Sequence, residues 1–127
     1  MNDEVKLAVH KFHQAWSQLQ EGAQRAKDPL EKDGVIQRFE FTFELLWKTL
    51  KIFLNHKEGI ICKTPKECLK AAFRLGYLND EAVFLEMLED RNTMSHLYNK
   101  EWAEDVFQRV KEKYVIGIKN VLDKLKI

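Results

Sequence analysis

The run DRNTMSHLYNK, Asp90 to Lys100, holds an arginine, an asparagine, a histidine and a tyrosine whose types and spacing could do chemistry. An imidazole with an ordinary pKa of about 6.5 can take or give a proton near neutral pH, which suits His96 to general acid–base work. A guanidinium presents a rigid fork of donors, so Arg91 can grip a phosphate and stabilise charge that develops on it. Wound as a helix from Leu85, the run places Arg91, Asn92 and His96 on or beside the face that carries Leu85 and Leu88, and sends Glu86, Glu89, Asp90 and Thr93 to the solvated side. An arginine turned inward keeps its charge and loses hydration, so Arg91 must be paired or must line a cleft. The bland arrangement is a strut, in which Arg91 pairs with Glu40 or Glu44 and His96 bonds a backbone carbonyl. Arg91 and His96 fall about 140° apart on an ideal helix. They can cooperate only if the arginine stem reaches round, if the helix loosens before Asn99, or if a second subunit completes the site. Tyr98, seven residues after Arg91, returns to nearly the same azimuth if the helix persists, which would bring its hydroxyl towards the guanidinium.

The elements that must position these groups are helical. Five glycines and two prolines interrupt the chain, nearly all between segments of helical period, so they act as punctuation. Val5, Ala8, Phe12, Ala15 and Leu19 alternate three-four spacing and continue into Gly22 and Ala26, which predicts a long amphipathic helix ending near Asp28-Pro29. A second long helix starts between Pro29 and Gly34 and stops near His56, before Gly59. Thr64-Pro65-Lys66-Glu67 supplies an N-cap, a proline at the first helical position and a glutamate at the third, and Gly76 closes that short helix in the left-handed conformation. Asn79 or Asp80 caps a fourth helix through the motif, and Asn99 caps a fifth that carries Trp102, Val106, Val110, Tyr114 and Gly117. The expectation is an all-α fold: one domain over residues 1–127, an antiparallel four-helix-type bundle with an additional short helix.

The second helix is apolar on two sides. Ile36, Phe39, Phe43, Leu46, Leu50 and Phe53 form the core stripe, and Phe41, Leu45 and Ile52 form another opposite it. Such a helix has to be covered twice, and the second stripe is expected to be a homodimer surface, the alternative being cover by the loop at 57–63. A third row, Gln37, Glu40, Glu44, Trp47 and Lys51, has the look of a solvated charged face, yet Trp47 at its middle argues for partial burial. A glutamate of this row that faced another helix would need a cation, with an arginine as the obvious candidate.

The bulk properties exclude several classes. With 45% hydrophobic and 32% charged residues the chain has an ordinary globular balance and no room for a long disordered tail. A net charge of +1 gives no global field for nucleic acid, so any anion site must be local. No stretch approaches the roughly 20 apolar residues of a membrane span or has the apolar core of a secretory signal, and the expected location is the cytoplasm. Cys62 and Cys68, the only cysteines, are spaced for neither a CxxC redox pair nor a zinc knuckle and are expected to be reduced. His10 and His13, even with acids such as Glu86, lack further ligands at a metal-binding spacing.

Arg91, four intervening residues and His96 together resemble the RX4-6H motif of the HEPN superfamily. RNTMSHLY is similar to the RNxxxHxY form of its HepT-like branch, also called nucleotidyltransferase substrate-binding proteins. Ile36 to Lys51, IQRFEFTFELLWKTLK, looks like the second-helix signature of that branch, and AAFRLGYLND resembles its helix-glycine-helix junction, so the likeness covers residues about 35 to 100. The resemblance implies a homodimeric helical bundle whose motif lines a cleft between subunits. It implies a toxin that cleaves RNA without a metal or other cofactor, encoded beside a small nucleotidyltransferase antitoxin that can adenylylate the tyrosine. Carried over, Arg91 and His96 would be catalytic, Asn92 a supporting polar residue and Tyr98 the modified residue. Glu40, Glu44 and Trp47 would support the pair from the second helix. The alternative within the same resemblance is a subunit that binds substrate for a nucleotidyltransferase and catalyses nothing itself. In the catalytic reading His96 takes the proton of a ribose 2′-hydroxyl, Arg91 holds the phosphate, and a 2′,3′-cyclic phosphate results.

Overall fold

Side-chain caps mark where the helices begin. The computed structural model describes residues 2–94 and 99–125. Asn2 accepts from the Val5 amide and starts α1, Asp3–Arg25. Asp28 and Glu31 form a reciprocal capping box ahead of α2, Pro29–Glu58, whose first helical residue is the proline. Thr64 caps α3, Pro65–Arg74, and Asp80, the second of the two expected residues, caps α4, Glu81–Thr93. Asn99 caps α5, Lys100–Arg109, which passes through a π-helical turn, Val110–Tyr114, into α6, Val115–Lys124. Gly59 and Gly76, with φ of 68° and 87°, end α2 and the turn after α3 in the conformation that favours glycine.

The fold is all-α, and the described residues contain no strand. Contacts from Arg38 to the Gln18 carbonyl, Thr42 to that of Ala15, Thr49 to that of Ala8 and His56 to Glu4 run in opposite senses along the two chains, so α1 and α2 are an antiparallel hairpin. Small residues permit the close approach: a Cβ on Gly22 would meet the Arg38 guanidinium at 3.0 Å. The stripe Ile36, Phe39, Phe43, Leu46, Leu50 and Phe53 is fully buried, and it receives Phe12 and Leu19 from α1, Met87 from α4 and Val106 from α5. The rod formed by α5, the π turn and α6 packs back on α1, where Trp16 Nε1 donates to the Val115 carbonyl at 2.9 Å. Four long helical rods and one short helix thus make the expected bundle.

Two features depart from the expectations. The fifth helix is not uniformly α. At the π turn the Val115 amide bonds the Val110 carbonyl, and the extra residue lets both Tyr114 and Val115 face inward. Cys62 and Cys68 are joined in a disulfide with Cα atoms 5.2 Å apart, where reduced thiols were expected. Thr64 turns the chain into α3, and Cys62, two residues before that cap, comes beside Cys68, the fourth residue of the helix. No described helix is long and apolar enough to cross a membrane.

Candidate functional site

The site stands where α4 approaches the middle of α2. Phe84 and Met87 point into the core, and the next residue along that inner line is Asp90. Arg91 and the leucines 85 and 88 lie beside the line, half-buried, and Asn92 is exposed. The wheel drawn from the sequence placed Asp90 among the solvated residues; it is instead buried. The physical reason is a waiting pair of donors on the C-terminal rod. Arg109 clasps the carboxylate through Nε at 2.9 Å and Nη2 at 2.8 Å, and the Tyr114 hydroxyl donates to the same group.

Arg91 leaves α4 on the next azimuth and reaches α2. Its Nη2 donates to Glu44 Oε1, and its Nη1 donates to Asn92 Oδ1 at 3.1 Å. The second Glu44 oxygen accepts from Trp47 Nε1 at 3.2 Å and lies 3.8 Å from Lys48 Nζ. One carboxylate therefore gathers a guanidinium, an indole and an ammonium. The Arg91 and Glu44 side chains remain 30% and 29% exposed, so water reaches the pair and the group is not sealed in packing. Of the residues expected from sequence, the structure brings Arg91, Asn92, Glu44 and Trp47 together. Glu40, one turn earlier on α2, is exposed, and it is Glu44 that holds the arginine. His96 and Tyr98 lie outside the described residues.

The electrostatics of the neighbouring buried cluster point one way. Burial, and then the hydrogen bond to Asp90, pushes the Tyr114 phenol far above its ordinary value, so it stays a neutral donor. The bond to Asp90 likewise raises the Arg109 guanidinium, which stays charged. Tyr114 also stacks on Phe39 of α2 at 5.2 Å between ring centres, tying the end of α4 to the core through the π turn. Asp90, Arg109 and Tyr114 escaped the sequence reading as a group. The available signal was weak: an arginine and a tyrosine five residues apart, about 140° from each other on an ideal α-helix and brought together only by the π turn, with no local spacing to name their acid. Among the described residues no three His, Cys, Asp or Glu side chains are grouped as ligands for a metal.

On the second side of α2, Phe41 is 60% exposed, while Leu45 and Ile52 are half-buried. Ile52 and the loop residues Ile60 and Ile61 line one groove, so the loop flanks that end of the stripe, while Phe41 stays open.

Comparison with known proteins places this geometry in context. The family described as nucleotidyltransferase substrate binding protein like matches residues 6–127. A probable ribonuclease HepT of Haemophilus influenzae is 30% identical over 97 residues, which are 73% of this chain and 66%, just under two thirds, of that protein. A crystal structure from Thermus thermophilus superposes with a TM-score of 0.85 at 35% identity, over 91% of this chain and 99% of the other. A structure from Haemophilus influenzae, described as revealing the fold of a substrate binding domain of a nucleotidyltransferase, superposes with a TM-score of 0.65 at 23% identity, over 97% of each chain. At that identity the last comparison speaks to fold alone.

Proposed function

Because this chain belongs to the nucleotidyltransferase substrate binding protein-like family, of HepT type, we propose that it is a metal-independent ribonuclease toxin whose catalytic pair is Arg91 and His96. The observation that carries this reading is the state of Arg91. It is a guanidinium oriented by Glu44 and Asn92, open to solvent, at the beginning of the RX4H motif. Two of its five N–H donors are engaged by described residues, and a fork held in this manner suits a phosphodiester oxygen. His96 removes the proton of the 2′-hydroxyl, that oxygen attacks phosphorus, and the bond to the 5′-oxygen breaks. The leaving oxygen takes up a proton, and the products are a 2′,3′-cyclic phosphate and a 5′-hydroxyl. Arg91 stabilises the charge on the phosphoryl oxygens as the bonds change.

In this reading a second copy of the chain covers the open Phe41 side of α2 and brings its own motif to the same cleft. Regulation lies with a small nucleotidyltransferase antitoxin that adenylylates Tyr98 and so blocks the nuclease in the cytoplasm. A second reading is favoured by the family's own description: a subunit that binds substrate for a nucleotidyltransferase and has no reaction of its own.

The test uses protein shown free of adenylyl groups by intact mass, with one single-stranded RNA and the deoxy strand of the same sequence, both in EDTA. The proposal expects RNA fragments with 2′,3′-cyclic phosphate ends and intact DNA. DNA cut at a similar rate would refute a mechanism that needs the 2′-hydroxyl.

A further inference from the structure

A groove of about 410 Å³ opens along the C-terminal half of α2, between that helix and the loop that follows it. Trp47, Ile52, Ile60 and Ile61 give it an apolar lining, and Lys48 and Lys51 stand along its edge. The groove is continuous with the Arg91 site, because Trp47 and Lys48 each reach the Glu44 carboxylate that holds Arg91. Resting on the ribonuclease reading, we infer that this groove binds one nucleotide of single-stranded RNA next to the phosphate held by Arg91. Its base lies against the Trp47 indole, and its backbone runs along the two lysines.

Three observations favour this occupant. The volume lies in the range of small-ligand sites and admits a nucleoside. The lining joins one aromatic ring to aliphatic walls, which receive the face of any base without reading its edges. The charge is graded along the groove. Lys48 lines one end, next to the Glu44 carboxylate that holds Arg91, Lys51 stands midway along the helix, and the far end carries Glu4, which bonds His56 at 3.1 Å. His56 is nine residues beyond Trp47, or about 13 Å along the helix. Phosphates are therefore drawn towards the Arg91 end, where the fixed cations stand. Trp47 then has a double role: its ring faces the base, while its N–H fixes the carboxylate that aims the arginine.

The test is a fluorescence-anisotropy titration of a labelled single-stranded oligoribonucleotide, with the full chain carrying His96→Ala so that the probe survives. Lys51→Glu and Ile61→Asp alter exposed positions, so circular dichroism should show unchanged folding, and Trp47→Ala is added as the direct change to the stacking ring. Each is expected to weaken binding roughly ten-fold, the scale of one lost base contact, and Trp47→Phe is expected to retain most of the affinity. Unchanged affinity in both exposed variants would overturn the groove assignment; cleavage by the wild-type chain would then leave the ribonuclease reading standing. A parent that binds no RNA at all removes both. Equilibrium sedimentation supplies the remaining arm: if the exposed variants fall to a smaller species in step with the loss of affinity, a second copy of the chain fills the groove and the assignment is overturned.

Discussion

Asp90 and Arg91 are adjacent in sequence, and each forms an ion pair with a distant helix, yet the two pairs are built differently. The guanidinia are alike in exposure, 26% for Arg109 and 30% for Arg91. The carboxylates are not: the Asp90 side chain is 9% exposed and that of Glu44 is 29%. Asp90 is gripped on both oxygens by Arg109 and again by Tyr114. Glu44, wetter, shares itself among Arg91, Trp47 and Lys48. The first pair is an anchor, in which burial makes every lost partner expensive. The second is a holder, which orients a charged group while water and a ligand can still approach it. A single residue step, about 100° round the helix, thus separates what fixes α4 from what α4 presents.

The sharpest way to break this contrast is Asp90→Ala. It leaves Arg109 and Tyr114 without their acceptor and is expected to cost about 3 kcal/mol, at the low end for a broken buried pair because Arg109 is partly wet. Thermal denaturation should show a fall in Tm on the order of 10 °C; a fall within about 2 °C would mean that Asp90 is not an anchor. Tyr114→Phe should cost less, about 2 kcal/mol for one hydrogen bond to a charged group. It also tests the titration. The folded phenol is raised above its unfolded value of about 10, so its contribution is full below that pH and is lost as pH rises beyond it. Denaturant midpoints from about pH 9 to 11 should therefore fall more steeply for wild type than for Tyr114→Phe.

Glu44→Gln should alter stability by less than about 1 kcal/mol, since the pair it weakens is solvated. The same change should lower kcat/KM on RNA roughly ten-fold, because a misaimed arginine loses its alignment on the phosphate. A large stability loss with unchanged cleavage would reverse the roles assigned to the two pairs. The smallest effect is expected for Lys48→Ala, within about 0.5 kcal/mol in stability, read from the same denaturation curves.

The elements were legible because their ends carry local chemistry. Thr64 with Pro65 and Glu67, Asp80 and Asn99 each name a helix start within four residues, and the core stripe of α2 repeats often enough to be unambiguous. What was hidden depends on distance. Asp90 sits on a helix with apolar residues on several sides, so its azimuth is decided by Arg109 and Tyr114, 19 and 24 residues away. The π turn was hidden because Val106, Val110 and Tyr114 keep a helical spacing straight through it. The disulfide required knowing how the chain enters α3 at Thr64, where the six-residue spacing and the expected compartment suggested two separate thiols. For the site, the row containing Glu44 and Trp47 was visible as a partner for Arg91, but the choice of Glu44 over Glu40 is set by where α4 crosses α2.

In the proposed reaction Arg91 is held ready for phosphate and acts with His96 on RNA. The most direct measurement compares initial cleavage rates of one single-stranded RNA by adenylyl-free wild type, Arg91→Ala and His96→Ala, with folding of all three checked by circular dichroism. Wild type is expected to cleave and each variant to be slower by at least about 100-fold, the scale of a lost general base or charge-stabilising donor. Three identical RNA profiles would contradict it and leave the chain as a binding subunit.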